Sequence, residues 1–257
     1  MCLLSFAFNQ LPTAPLVVVA NRDEFYKRPT QPMHWWQDKP ILAGRDIQAG
    51  GTWLGLSASG RFAAITNYRQ VSKNAQAEIA FLSRGNLVAD FLCSDLSAMQ
   101  WCQSVNQTFT RYDGFNLLLY DGKELVYLNN FQDPVPQSLP AGIYGLSNHS
   151  LDSPWPKVNY ARQKMRQIVT QNPALKGNQV THMLDSLSLQ KTYPPHLLPN
   201  TGIPPEWEQL LSSAFITSPD YGTRCTTAVI ISREGTISVA ERTYNSVQDT
   251  EDIVFQI

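Results

Sequence analysis

The sequence predicts an α+β protein in which helices pack against mostly antiparallel sheets. Three observations support this fold class. Apolar runs of strand length dominate both ends of the 257-residue chain, helical periodicity is concentrated in the middle, and short turns join the strand-like runs, which favours antiparallel pairing. Because no internal repeat, low-complexity tract or linker divides the chain, we expect residues 1–257 to form a single domain.

Four strands are predicted near the amino terminus, each bounded by Pro, Gly, Asn or Asp residues, which commonly flank strands. They span Leu3–Phe8, Leu16–Ala20, Thr52–Leu56 and Arg61–Thr66. The apolar start of the chain is interpreted as two of these strands and a turn, not as a signal peptide. No basic region precedes it, and Pro12 and Pro15 interrupt it.

Two hairpins are predicted further along the chain. Phe115–Tyr120 and Glu124–Asn129 flank the pair Asp121-Gly122, which is typical of a type I′ turn. The run CTTAVIIS, the turn REG and the run TISVAERTY predict the second hairpin. Both hairpins pair neighbouring strands in antiparallel fashion.

Helical spacing of apolar residues predicts four helices in the middle of the chain. They span Asn86–Cys93, Pro154–Thr170, Gln179–Leu187 and Glu206–Phe215. The Pro-rich segment KTYPPHLLPNTGIPPE between the last two is predicted to be an irregular loop, either functional or a plain surface excursion.

Composition excludes several classes of protein. Lys and Arg total 20 against 21 Asp and Glu, so the basic excess of a nucleic-acid-binding protein is missing. The longest apolar run, Leu16–Ala20, is far shorter than an integral membrane segment. The four cysteines form no CxxC pair and are too few for a disulfide framework, which favours a reducing, cytoplasmic location.

The second residue is the most informative one for chemistry. Met aminopeptidases remove Met1 when a small residue such as Cys follows, and the chain would then begin with Cys2. A thiol and a free α-amino group on one residue form a nucleophile with its own base, because an α-amino group has a pKa of about 7.7–8.0. The alternative is an inert, packed cysteine.

A polar cluster follows the second predicted strand. Arg22 would lower the pKa of the Cys2 thiol or bind an anionic substrate, and Asp23 would orient the α-amino group. Polar residues just past a strand end commonly build sites. The alternative is an ion-paired turn from strand to loop.

Three further residues lie at predicted strand ends. Asn67 and Asn148 each follow a strand, where an amide can donate to a developing oxyanion. Arg224 precedes a strand and would bind a carboxylate in bidentate fashion. Alternatively, Asn148 is a turn residue and Arg224 a surface charge.

Taken together, these motifs resemble those of the NRDE family, the family of Transport and Golgi organization protein 2. They are the start MC, then NRDE, AGRDIQAGGTWLG, TNYR, SRG, GFNLL, YGLSN and YGTRCTT, and they extend from residue 1 to about Val254. The resemblance implies a branch of the N-terminal-nucleophile hydrolases. It therefore implies a four-layer αββα sandwich of two mostly antiparallel sheets.

The spacing is also similar to that of the choloylglycine hydrolase and penicillin V acylase group. By that resemblance Cys2 matches the nucleophile and Arg22 with Asp23 the early Arg–Asp pair. In those hydrolases two residues separate the early pair, whereas here they are adjacent. Neighbours on a strand face opposite sides, so Glu24 would substitute for Asp23 beside Arg22. The remaining matches are two amides and a late arginine, namely Asn67, Asn148 and Arg224.

The resemblance implies two functions. The first is intracellular haem binding and trafficking, with haem as cargo, no required cofactor, and Arg22, Glu24, His149 or Arg224 as ligand-binding residues. The second is a cysteine amidohydrolase that cleaves a linear, non-peptide amide. In both cases the partner is a small molecule, either haem or an acyl-amide.

Overall fold

Two antiparallel sheets form the centre of the fold. The computed structural model describes residues 2–69, 81–131, 134–245 and 249–257. In chain order the strands are β1 Cys2–Phe8, β2 Leu16–Phe25, β3 Thr30–Trp35, β4 Ile41–Asp46, β5 Leu54–Ser57, β6 Phe62–Asn67, β7 Phe115–Tyr120, β8 Leu125–Asn129, β9 Gln137–Ser138, β10 Gly142–Leu146, β11 Tyr221–Ile231, β12 Ile237–Tyr244 and β13 Thr250–Gln256.

The strands divide into a six-stranded sheet of order β10-β1-β2-β11-β12-β13 and a seven-stranded sheet of order β3-β4-β5-β6-β7-β8-β9. Neighbours pair antiparallel throughout these two sheets. In the six-stranded sheet, β2 lies between β1 and β11. It pairs with β1 from Leu16 to Arg22 and with β11 from Leu16 to Phe25.

Helices cover the outer face of each sheet. The α-helices are α1 Gly85–Leu92, α2 Ala98–Val105, α3 Pro156–Gln171 and α4 Pro205–Leu210. Further 3₁₀ helices span Asn106–Arg111, Gly177–Leu187 and Pro195–Leu197. One hydrophobic core contains α3 and the Gly177–Leu187 helix on the six-stranded sheet, and another contains α1 and α2 on the seven-stranded sheet. The predicted α+β fold and the four-layer sandwich implied by the resemblance are therefore confirmed.

Strand alternation gives the six-stranded sheet two distinct faces. Leu4 and Phe6 of β1 and Val18 of β2 lie in the core between the sheets. Leu3 of β1 and Val19 of β2 instead pack against the helices. These two faces determine which polar residues at the strand ends meet.

The predicted elements differ from the structure mainly at their ends, and the strands β3, β4, β9 and β13 and the helix α2 were not predicted. The second strand was expected to stop at Ala20, but β2 continues to Phe25 because β1 pairs with it as far as Arg22 and β11 as far as Phe25. The helix expected at Gln179–Leu187 is a 3₁₀ helix, and α4 ends at Leu210. In the first hairpin only Gly122 has a positive φ, since Asp121 Oδ1 instead accepts from two backbone N–H groups.

Within the described ranges, no helix is both long enough and apolar enough to cross a membrane.

Candidate active site

Cys2 lies at the first position of β1 and faces the space between the two sheets. Its side chain is 7% exposed and borders a cavity of about 320 Å³. Arg22 is the residue directly opposite Cys2 on β2, so both side chains lie on the same face. Glu24 and Asn67 also line this cavity, which we call the Cys2 cavity.

The Arg22 guanidinium is buried yet has hydrogen-bonding capacity left. Its Cζ lies 4.3 Å from the centre of the Trp53 ring, which holds the group in place by a cation–π contact. Nη2 lies 3.7 Å from Asp46 Oδ2 and 3.9 Å from Glu24 Oε2. Nη1 is buried and has no hydrogen-bond partner within the described residues. Arg22 can therefore donate to a bound ligand.

Asp46 lines the Cys2 cavity and fixes the residues around it by hydrogen bonds. One carboxylate oxygen accepts from Arg28 Nε at 2.7 Å, and the other accepts from the backbone N–H groups of Gln48 and Ala49. These bonds give Asp46, the one Asp of the segment GRDIQAGG, a structural role in this turn. They also hold Arg28 at the cavity.

Two glycines cross closely at the far wall, where Arg84 and Asp113 also line the cavity. A Cβ at Gly51 would lie 2.5 Å from the Gly85 carbonyl carbon, and a Cβ at Gly85 would lie 2.7 Å from the Thr52 backbone nitrogen. The crossing brings Thr52 N within 3.3 Å of Gly85 O. Arg84 is fixed there by donating to Gly114 O at 2.9 Å.

Replacing Gly85 with alanine is expected to lower the free energy of unfolding by about 1–3 kcal/mol, since backbone atoms must move apart to admit the methyl group. Urea denaturation measures the loss. Ser83→Ala, in the same segment, serves as the control and should change stability by less than about 0.5 kcal/mol. Equal stability of both variants would mean that the backbone around Gly85 has room for a methyl group.

The two predicted amides have different surroundings. Asn67 ends β6, and its side chain makes no hydrogen bond within the described residues although it lines the cavity. Asn148 is fully buried, and its Nδ2 donates to Asn67 O at 3.0 Å. Asn148 therefore holds the backbone of Asn67 and is not itself part of the cavity lining.

Asp23 follows Arg22 but belongs to the opposite face of β2. Asn21, two residues earlier, donates to Leu187 O and Ala214 O on the helix side. By strand alternation the Asp23 carboxylate also turns to that side, and its Oδ1 accepts from Thr223 Oγ1 at 2.7 Å. Asp23 is completely buried but still borders the Cys2 cavity.

Arg224 and His149 lie outside the lining of the Cys2 cavity. Arg224 sits at a β-bulge in β11 and donates to the backbone carbonyls of Phe25, Tyr26 and Arg28. His149 stacks near Tyr68, with 5.0 Å between ring centres, and its pKa is lowered by burial and by Arg69. The structure thus gives Arg224 a role in holding the turn after β2.

The surroundings of Cys2 raise the pKa of its thiol, so the thiol needs a base in order to act as a nucleophile. Burial raises the pKa of its thiol above the ordinary value, and the nearby carboxylate of Asp23 acts in the same direction. The thiol is therefore protonated near neutral pH. An attack by sulfur then needs a group that accepts the proton at the moment of reaction.

An apolar recess adjoins the Cys2 cavity. Its volume is about 400 Å³, and it shares Glu24 and Asn67 with the cavity. The aromatic rings of Phe25, Trp207 and Tyr221 pack together along it, with ring centres 5.0–6.3 Å apart. A ligand that spans both spaces would place a polar centre near Cys2 and an apolar group in the recess.

Sequence reasoning did not identify Arg28, Asp46 and Arg84 as cavity residues. Each is held by a partner 18 to 30 residues away, which no local pattern indicates. Trp53 packs against the core between the sheets, lines the cavity and stacks on Arg22. The motif SRG contains Arg84, but the motif does not indicate that Arg84 pairs with Asp113 and Gly114 just before β7.

Comparison with known proteins gives consistent results. The family model for Transport and Golgi organisation 2 matches residues 1–246. The human Transport and Golgi organization protein 2 homolog is 34% identical over 94% of this chain and 92% of its own. The Drosophila melanogaster Transport and Golgi organization protein 2 is 24% identical over 95% and 92%, respectively.

A solved structure with a similar fold is the C2A mutant of the conjugated bile acid hydrolase from Clostridium perfringens. It superposes with a TM-score of 0.54 at 8% identity and covers 100% of this chain and 96% of its own. That likeness shows that the two chains share a fold, in agreement with the two sheets and their helix layers. The match of sequence over nearly the whole chain shows that this protein belongs to the Transport and Golgi organisation 2 family.

Proposed function

We propose that the protein is a cysteine amidohydrolase whose nucleophile is Cys2, exposed as the first residue once Met1 is removed. The observation that supports this most directly is the pairing of Cys2 with Arg22 on one face of the sheet, at the edge of a polar cavity. The fold is also one in which a terminal nucleophile is used. The proposal requires that the mature chain begins at Cys2.

In the proposed reaction the α-amino group of Cys2 takes the thiol proton as the sulfur attacks the amide carbonyl. The C–N bond then breaks, and the proton passes from the ammonium group to the leaving amine. Water, deprotonated by the same amino group, attacks the thioester. As the C–S bond breaks, the ammonium group returns this proton to the departing sulfur, and the carboxylic acid is released. The amino group thus serves as base and then as acid in each half of the reaction.

The oxyanion of each tetrahedral intermediate would be bound by donors that have no other partner. Arg22 Nη1 and the Asn67 amide meet that condition within the described residues. The recess along Phe25, Trp207 and Tyr221 would accept an apolar part of the substrate. A linear amide with an apolar substituent therefore fits best.

Trapping an acyl-enzyme tests this function. Protein whose intact mass shows the loss of Met1 is mixed with a panel of linear N-acyl amides, quenched in acid and weighed. We expect an adduct of the acyl mass on Cys2 that hydroxylamine removes, both in the wild type and in a Cys93→Ala control. Retention of Met1, or no adduct with any amide, would contradict the proposal.

Haem binding is a second candidate, supported by the thiol and guanidinium groups that share the cavity. Cys2 would be the axial ligand, while Arg22 and Arg84 would pair with the propionates. His149 packs at a tilt against the rings of Tyr68 and Trp155, outside the cavity lining. A saturable Soret band that Cys2→Ala weakens and His149→Ala does not is the expected result. A band unaffected by Cys2→Ala would exclude this site.

A further inference from the structure

Lys157 is a buried charge that the proposed reaction does not use. It lies in the first turn of α3 on the helix side of the six-stranded sheet, and it is 2% exposed. Its Nζ is buried and has no hydrogen-bond partner within the described residues. A buried ammonium group is costly unless another charge compensates it, so its surroundings indicate its role.

The compensating charge is Asp23. Strand alternation turns Asp23 toward the helix side of the six-stranded sheet, and α3 packs on that side against the neighbouring strand β1. Burial lowers the pKa of Lys157 to about 8, and the Asp23 carboxylate acts most strongly in the opposite direction. Conversely, burial raises the pKa of Asp23, and Lys157 is the main influence that lowers it.

The two groups stand behind the strand end that carries Cys2. Cys2 and Arg22 lie on the cavity face there, and Lys157 lies on the helix face. Asp23 borders the cavity but is turned toward the helix face. The α-amino group of a chain that begins at Cys2 lies between these faces. An unbalanced Asp23 carboxylate would hold that amino group as ammonium and remove it as a base.

We propose that Lys157 is a positioning residue of the Cys2 site, whose ammonium group balances the Asp23 carboxylate and so leaves the Cys2 α-amino group free to take the thiol proton. This inference rests on the proposed function. The effect it describes is a change in the charge around Cys2, which can be measured without any substrate. The other titratable groups around Asp23 and Lys157 are Cys2 on β1, Arg22 on β2, Arg69 after β6, Glu208 on α4 and Tyr221 on β11. Glu24 on β2 and Arg84 before α1 face Cys2 itself.

The test measures alkylation of Cys2 by iodoacetamide against pH, using chain prepared by cleavage of a leader so that it begins at Cys2. Thiol reactivity rises as the first proton leaves the coupled ammonium–thiol pair. Replacement of Lys157 by Met removes the positive charge at similar length. In this variant we expect the rise in alkylation rate, the acidic limb of the pH profile, to occur at a pH about one unit higher than in the wild type.

Matched variants separate charge from packing. Lys157→Arg keeps the charge and should keep the limb within a few tenths of a unit, whereas Lys157→Gln should shift it as Met does. Lys164→Met, two turns further along α3, removes a lysine outside the site and should change nothing. Thermal unfolding of every variant shows whether the fold is retained.

The outcomes distinguish this proposal from the proposed function. An unchanged limb in folded Lys157→Met and Lys157→Gln overturns the role of Lys157, whatever the protein hydrolyses. A shifted limb supports that role even where no amide acylates Cys2, a result that would count against the amidohydrolase alone. A shift in Lys157→Arg equal to that in Lys157→Met also overturns it, because geometry and not charge would then be the cause.

Discussion

Replacing Cys2 with alanine is expected to reduce amide hydrolysis at least about a thousandfold, since the covalent route then has no nucleophile. The fold should persist, because one buried sulfur at a strand end is lost and the pairing of β1 with β2 remains. Release of the carboxylic acid from the best amide of the panel measures the rate.

Cys102→Ala is the matched control for this variant. Cys102 belongs to α2 and is buried in the core on the outer face of the seven-stranded sheet, and burial raises the pKa of its thiol to about 12. Such a thiol is unreactive, so its removal should leave the rate within about twofold of the wild type. Comparable loss in both variants would point to damage of the fold and not to a nucleophile at Cys2.

Asn116 is expected to be the most sensitive side chain for stability. It is fully buried on β7. Its Nδ2 donates to Thr66 Oγ1 and His149 O, both at 3.0 Å, and its Oδ1 accepts from Tyr127 Oη at 2.8 Å and Asn129 Nδ2 at 2.7 Å. One amide thus joins the seven-stranded sheet to the segment that holds Asn67 in place.

Replacing Asn116 with leucine, which has nearly the same shape, should lower the free energy of unfolding by at least about 4 kcal/mol, because several buried donors and acceptors lose their partner at about 1–3 kcal/mol each. Urea titration measures the change. Asn159→Leu on the exposed side of α3 is the control and should stay within about 0.5 kcal/mol of the wild type. A loss below about 1 kcal/mol for Asn116→Leu would mean that water replaces the network.

Much of the fold was predictable from local pattern. The apolar run of β1 and the apolar stripe of α3 gave the positions of these two elements to within about two residues. The end of β2 was not predictable, because its polar residues find partners on β11 and on the helix Gly177–Leu187, about 170 to 200 residues away. Strand propensity counts such residues as loop, whereas tertiary hydrogen bonds keep them in the sheet.

Part of the candidate site was predictable from sequence motifs, but the contacts between distant segments were not. Cys2, Arg22 and Asn67 were predicted as site residues because they lie at predicted strand ends, and all three line one cavity. Lys157 had a signal that was missed, since it lies four residues before Ala161 and eight before Met165, in line with the apolar stripe of α3. A lysine in that register must be buried, and a buried lysine requires an anion nearby.

The alternation along β2 has a consequence for how this chain can evolve. The side chains of Arg22 and Asp23 face opposite sides of one sheet. A deletion or insertion that shifts β2 by a single residue would therefore exchange the faces on which they lie. The guanidinium would then enter the helix layer beside the lysine, and the carboxylate would enter the chamber beside the sulfur. Only changes of two residues preserve both compartments, which makes the length of this strand a constraint as strict as the identity of its polar residues.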